Sequence, residues 1–126
     1  MTHQLMIKLA AVSGFLAVAL GAFGAHGLKE KLSAEMMAVY QTAVEYQFVH
    51  TLALLAVGLA AAQFPQTSYF KWSGLAFFIG ILIFSGSLYI LSLSGVKWLG
   101  AITPMGGLAF LVGWALLLAA AFQLAK

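Results

Sequence analysis

Thirty consecutive residues, Glu35 to Phe64, contain no proline and a single glycine, Gly58. Such a stretch runs as one helix, about 45 Å long at the usual rise per residue. A bilayer's hydrocarbon core is only about 30 Å thick. From Thr51 onward the stretch is almost purely apolar, whereas its first half carries Tyr40, Gln41, Thr42, Glu45, Tyr46, Gln47 and His50. One end therefore stands outside the bilayer, and the apolar part begins near Val44. Glu45 and His50 then lie inside the membrane or at its edge, where such groups are costliest to place.

The rest of the chain agrees that lipid is the solvent. Of 126 residues, 63% are hydrophobic and 7% charged, against about a quarter charged in ordinary globular domains. A body this small cannot hide so much apolar surface from water. One domain is expected. With no cysteine, disulfides and thiolate metal sites are excluded. The net charge of +3 comes from six lysines against three glutamates, with no arginine or aspartate. Lysines so scattered do not make the dense basic patch that nucleic acid requires, so no nucleic-acid partner is expected.

Four spans follow in order, predicting an all-α, four-transmembrane-helix bundle with both termini on one side. The first covers about residues 5–25. It is read as retained rather than cleaved, because His26-Gly27-Leu28 is a poor small-residue cleavage site. Ala10, Gly14, Ala17, Gly21 and Ala25 recur at spacings of three and four, which lets helices approach closely in lipid. That stripe suits a packing seam within the chain or a dimer face. Its tail, GAFGAHGL, is expected to unwind and bring His26 near neighbouring backbone. After a charged connection at residues 28–34, Ser33 is a plausible N-cap for the second span, residues 35–64, with its membrane part from about 44. A short interfacial helix before that span is the alternative to one continuous helix, which we favour. Pro65 to Ser68 forms a turn. Tyr69, Phe70 and Trp72 make an aromatic belt at the entry to the third span, residues 72–93. Thr103 and Pro104 read as N-cap and first residue of the fourth, residues 104–125. Trp114 lies well inside that span, where packing is the ordinary role.

Orientation is nearly unreadable. Lys8, Lys71 and Lys126 fall on the terminal side, and Lys29, Lys31 and Lys97 on the other. The positive-inside rule thus ties, with a slight lean to a cytoplasmic Lys29/Lys31 side, since Lys8 sits partly within a span.

Four crossings place most of the polar side chains in one leaflet: His26, Glu45, Tyr46, His50, Ser85, Ser87, Tyr89 and Thr103. We expect a polar cluster there, reached by water from that side. The plainer reading is a set of interhelical hydrogen bonds, about 0.6 kcal/mol each, in which Glu45 pairs with His26, Lys29 or a tyrosine. Metal ligation is disfavoured: Glu45 and His50 stand about 140° apart around a helix, not on one face. No nucleophile triad, phosphate loop or pair of intramembrane acids is present, so no enzyme activity and no cofactor is expected.

The segments GAFGAHGL at 21–28, YQTAVEYQFVHTLALL at 40–55, FSGSLY at 84–89 and ITPMGG at 102–107 resemble the YgdD/YwdK-like family of small, uncharacterised bacterial inner-membrane proteins, which has mitochondrial relatives in animals. The resemblance spans nearly the whole chain. It implies four helices in the bacterial inner membrane and brings no activity or catalytic residue with it.

Three functions then compete. The first is an accessory or scaffold membrane protein packing through its Gly/Ala seams, as a homo-oligomer or within a larger membrane complex; it expects Glu45→Gln and His50→Ala to lower stability. The second is a small oligomeric transporter or channel for protons or a small polar solute, with Glu45 and His50 as relay. The third is a lipid- or quinone-binding protein, with Lys29 and Lys31 near headgroups and Tyr40, Tyr46 and Phe48 beside an apolar groove.

Overall fold

The computed structural model describes residues 1–124, and among these every regular element is helical. Four helices are long and apolar enough to cross a membrane. The first, α1, spans His3–His26 and is capped by the Thr2 hydroxyl, which accepts the Leu5 N–H at 3.1 Å. The second, α2, spans Ala34–Gln63 without a break, and the Ser33 hydroxyl accepts the Met36 N–H at 3.1 Å. The third, α3, spans Tyr69–Ser94 and contains a wider π turn at Ile81–Ser85. It ends on Gly95, whose φ of +75° is the left-handed conformation that glycine adopts without strain. The fourth, α4, spans Thr103–Leu124 after a 3₁₀ segment at Lys97–Ala101. The expected boundaries 5–25, 72–93 and 104–125 each lie a few residues inside these helical stretches or match them, while residue 125 and Lys126 lie outside the described residues.

Two sequence expectations change. The glycines near the end of α1 do not unwind it. The helix runs through His26, and Gly24 instead makes room for the Tyr40 ring, which a Cβ there would strike. Thr103 is not a cap outside its helix but the first residue within it, with its hydroxyl turned to α3. Pro104 is tolerated in that first turn because its missing N–H has no helical partner to lose.

The helices are antiparallel neighbours in chain order, but they do not close a ring. The main packed pairs are α1 with α2, α2 with α3, and α3 with α4, with a smaller contact of α1 on α3, while α1 and α4 share no packed face. In lipid, apolar burial gives little association, so close backbone approach and hydrogen bonds carry the packing. Glycines supply that approach. Met6, fully buried, enters between Gly58 of α2 and Gly74 of α3. Gly14 faces Thr51 and Gly21 faces Val44, with Ala10 and Ala17 buried on the same side. Apart from exposed Ala25, the small-residue stripe of α1 is therefore spent inside the chain. On α4, Gly106 lies against the backbone of Phe84, where a Cβ would stand 2.7 Å from its Cα, and Gly113 lies against the Phe77 ring.

Candidate functional site

The polar side chains do not form one shell. They divide into a hydroxyl–amide array between α1, α2 and α3, two ties between α3 and α4, and a histidine set among aromatic rings between α2 and α4.

The first array centres on Gln47, which is 4% exposed. Its amide nitrogen donates to the Ser13 carbonyl at 3.0 Å, and its amide oxygen accepts from the Tyr89 hydroxyl at 2.5 Å. Ser13 and Thr51 share a hydroxyl hydrogen bond at 2.6 Å. Tyr40 packs edge-on against Tyr89, with ring centres 5.4 Å apart, and donates to the Leu20 carbonyl at 2.5 Å. The Ser85 hydroxyl, at the end of the π turn, donates to the Ala43 carbonyl at 2.8 Å. Between α3 and α4, Ser87 bonds Thr103 at 2.6 Å, and Ser73 donates to the Gly113 carbonyl at 2.7 Å. Among the described residues no buried side-chain nitrogen or oxygen lacks a partner. A saturated array of this kind locks helices together, because each pair lost would leave a polar group stranded in an apolar medium.

His50 is held differently. Its Nδ1 lies 2.9 Å from the Tyr46 carbonyl, which can only accept, so Nδ1 carries the proton. Its Nε2 accepts from the Trp114 indole N–H at 3.1 Å, and an indole nitrogen can only donate. The two partners together select the neutral Nδ1–H tautomer and occupy both ring nitrogens. The imidazole also lies flat on Phe110, with centroids 3.5 Å apart and planes 9° from parallel. Tyr46 stacks on Phe84 with centroids 4.5 Å apart.

These rings wall a groove of about 620 Å³ between α2 and α4. It exists because α4 packs on α3 and leaves that side of α2 open. The π-turn residue Phe84 forms part of its wall, and wider turns of this kind recur at functional positions. Gly107, Leu108 and Leu111 complete the α4 side, and no lysine or glutamate lines it among the described residues. Trp114 and Tyr46 are 43% and 40% exposed, so the groove opens sideways.

Of the residues singled out from sequence, Tyr46 and His50 share the groove, Ser87 and Thr103 bond one another, and Ser85 and Tyr89 belong to the contacts with α2. His26 and Glu45 are exposed and join none of these. Glu45 stands on the outer surface of α2, in a smaller cleft of about 260 Å³ shared with Tyr46, Val49 and His50. It does not pair with His26, Lys29 or a tyrosine as a lock. Among the described residues no three His, Asp or Glu side chains gather to hold a metal. Sequence reasoning passed over Gln47, Ser13, Thr51 and Trp114 as site residues, and it set Tyr40 beside a groove, whereas Tyr40 packs on Tyr89 and bonds the Leu20 carbonyl. Gln47 carried the available signal, since a buried amide in a span demands partners for both of its ends. Buried Ser73, near the start of α3 and in the other leaflet, was not singled out either, and it ties α3 to α4.

Comparison with known proteins places the chain among others of its kind. A family model described as protein of unknown function (DUF423) matches residues 20–107. The inner membrane protein YgdD of Escherichia coli strain K12, assigned to the group UPF0382, is 48% identical over 127 residues, covering 100% of this chain and 95% of the relative. A UPF0382 membrane protein of Staphylococcus saprophyticus is 45% identical over 96% of this chain and 99% of its own length. One from Staphylococcus haemolyticus is 44% identical over 95% and 97%. No solved structure matches.

Proposed function

The chain belongs to the DUF423 family, as a multi-pass protein of the bacterial inner membrane, and on that premise we propose that it is a non-catalytic protein holding a lipid-phase molecule in the lateral groove between α2 and α4. The observation that carries this reading is the groove itself. At about 620 Å³ it falls within the size range of small-molecule sites, which are mostly apolar with a few fixed polar groups. Its aromatic wall is rigid, because His50 is fixed at both nitrogens and from one face.

The competing functions draw less support. Association with partners through the Gly/Ala seams would need seams that face outward, and those of α1 and α4 are engaged with α2 and α3. A proton relay through His50 and Glu45 would need an imidazole with a nitrogen to spare, and both are bonded. Membrane lipids are the proposed surroundings, and self-association is not required for the groove to form.

Gly107 offers a direct test. A Cβ there would meet only the Phe84 ring, at 3.8 Å, which is ordinary contact. Gly107→Leu therefore fills the groove without pushing on backbone. Protein purified in mild detergent is extracted and its bound small molecules are measured by mass spectrometry. We expect a species present with the wild type and lost from Gly107→Leu. Equal content in both proteins rejects the reading.

A further inference from the structure

We propose that the molecule taken up by this groove is a neutral, ring-headed prenyl lipid of the isoprenoid quinone class, rather than a phospholipid. The inference rests on the groove reading above and narrows it by charge and shape.

Charge disfavours an anionic head. An anionic phospholipid is held by cationic side chains at its head group, and among the described residues no lysine lines the groove. The charged group nearest in sequence to its α2 wall is Glu45, in the adjoining cleft, which repels a phosphate or a fatty-acid carboxylate. Shape favours a flat head. Tyr46, His50, Phe84, Phe110 and Trp114 offer faces and edges within one cavity, and aromatic pairs gain about 0.5–1.5 kcal/mol beyond simple burial. The outward wall, Leu108 and Leu111, is aliphatic and exposed, which suits a branched hydrocarbon tail lying towards lipid. One polar group remains for recognition. The imidazole nitrogens and the indole N–H are engaged with one another and with the Tyr46 carbonyl. The Tyr46 hydroxyl is tied into neither array, and it is a donor suited to a ring carbonyl. A single donor and no charge match a quinone oxygen better than a phosphodiester.

The test uses Trp114 as reporter. In a Trp72→Phe/Trp98→Phe background, Trp114 is the sole indole; both replaced residues are exposed. The full chain is placed in phosphatidylcholine nanodiscs and its fluorescence is titrated with decylubiquinone, and separately with phosphatidylcholine brominated along its acyl chains. We expect saturable quenching by decylubiquinone, loss of saturation in Gly107→Leu, and about a three- to tenfold higher half-quenching concentration in Tyr46→Phe, the effect of one hydrogen bond. Quenching by brominated lipid that Gly107→Leu removes, with only linear quenching by the quinone, overturns the ligand class and leaves the groove reading standing. Quenching by both agents that Gly107→Leu leaves unchanged overturns the groove reading as well. Should Gly107→Leu fail to fold, Leu108→Phe, at an exposed wall position, blocks the same space.

Discussion

The Trp114 indole N–H donates to Nε2 of His50 at 3.1 Å, joining α4 to α2 across a gap that their backbones do not close. The bond does two things at once: it fixes the imidazole tautomer and it sets the width of the groove. Trp114→Phe keeps a ring at that place and removes only the donor. We expect a loss of about 0.6 kcal/mol, with 1.7 as the upper end of such interhelical bonds. A double-mutant cycle with His50→Phe, read by unfolding in mixed micelles, checks it. A coupling energy of zero would mean that the pair contributes nothing.

Gln47 uses both ends of its amide between α1 and α3. Replacing it with leucine strands the Tyr89 hydroxyl and leaves the Ser13 carbonyl short of a donor. The expected cost is about 1–3 kcal/mol. Ser92, by contrast, donates within its own helix to the Tyr89 carbonyl at 3.0 Å, so Ser92→Ala should stay within about 0.5 kcal/mol. The same unfolding assay ranks the two, and the reverse order would contradict the array.

The glycines are separable by what surrounds them. A Cβ on Gly106 would press into the Phe84 backbone, whereas one on Gly86 meets nothing within 4 Å. Gly106→Ala is therefore expected to destabilise by about 1–3 kcal/mol, the range for overpacking. Gly86, at φ −59° and ψ −47°, sits in helical backbone, where alanine is preferred by roughly 0.5–1 kcal/mol. Gly86→Ala should unfold later than wild type, and Gly106→Ala earlier.

Glu45 is the acid that the sequence makes conspicuous, yet it is exposed and outside both arrays. Glu45→Gln should change stability by less than about 0.5 kcal/mol, as exposed substitutions commonly do. His50→Ala, which empties the aromatic stack and strands the indole N–H, should cost several times more. Thermal aggregation of the two variants in detergent distinguishes them.

The difference between Glu45 and Gln47 shows how far sequence reading reaches. Span length and hydropathy reveal how many crossings there are and how deep each residue lies. They do not reveal azimuth. Glu45 and Gln47 are two positions apart, at nearly the same depth, but about 200° apart around the helix, so one faces out and the other is 4% exposed. Depth selected Glu45 and His26, while direction assigns the work to Gln47, Ser13 and Trp114. A stripe of small residues likewise marks close packing without naming its partner, and in α1 the partner is α2. The π turn at Ile81–Ser85 left no mark that sequence reasoning could read, since ILIFS is ordinary helix-compatible sequence.

Because α1 packs chiefly on α2 and α4 on α3, with the α2–α3 face as the main link between the halves, the chain is two hairpins leaned together. Severing the connection at residues 65–68 leaves each hairpin its own internal contacts. Two separately produced fragments, 1–66 and 67–126, should therefore find each other in a bilayer and co-purify when one alone is tagged. Disruption of the Ser85–Ala43 tie between the halves should weaken that reunion while sparing each fragment.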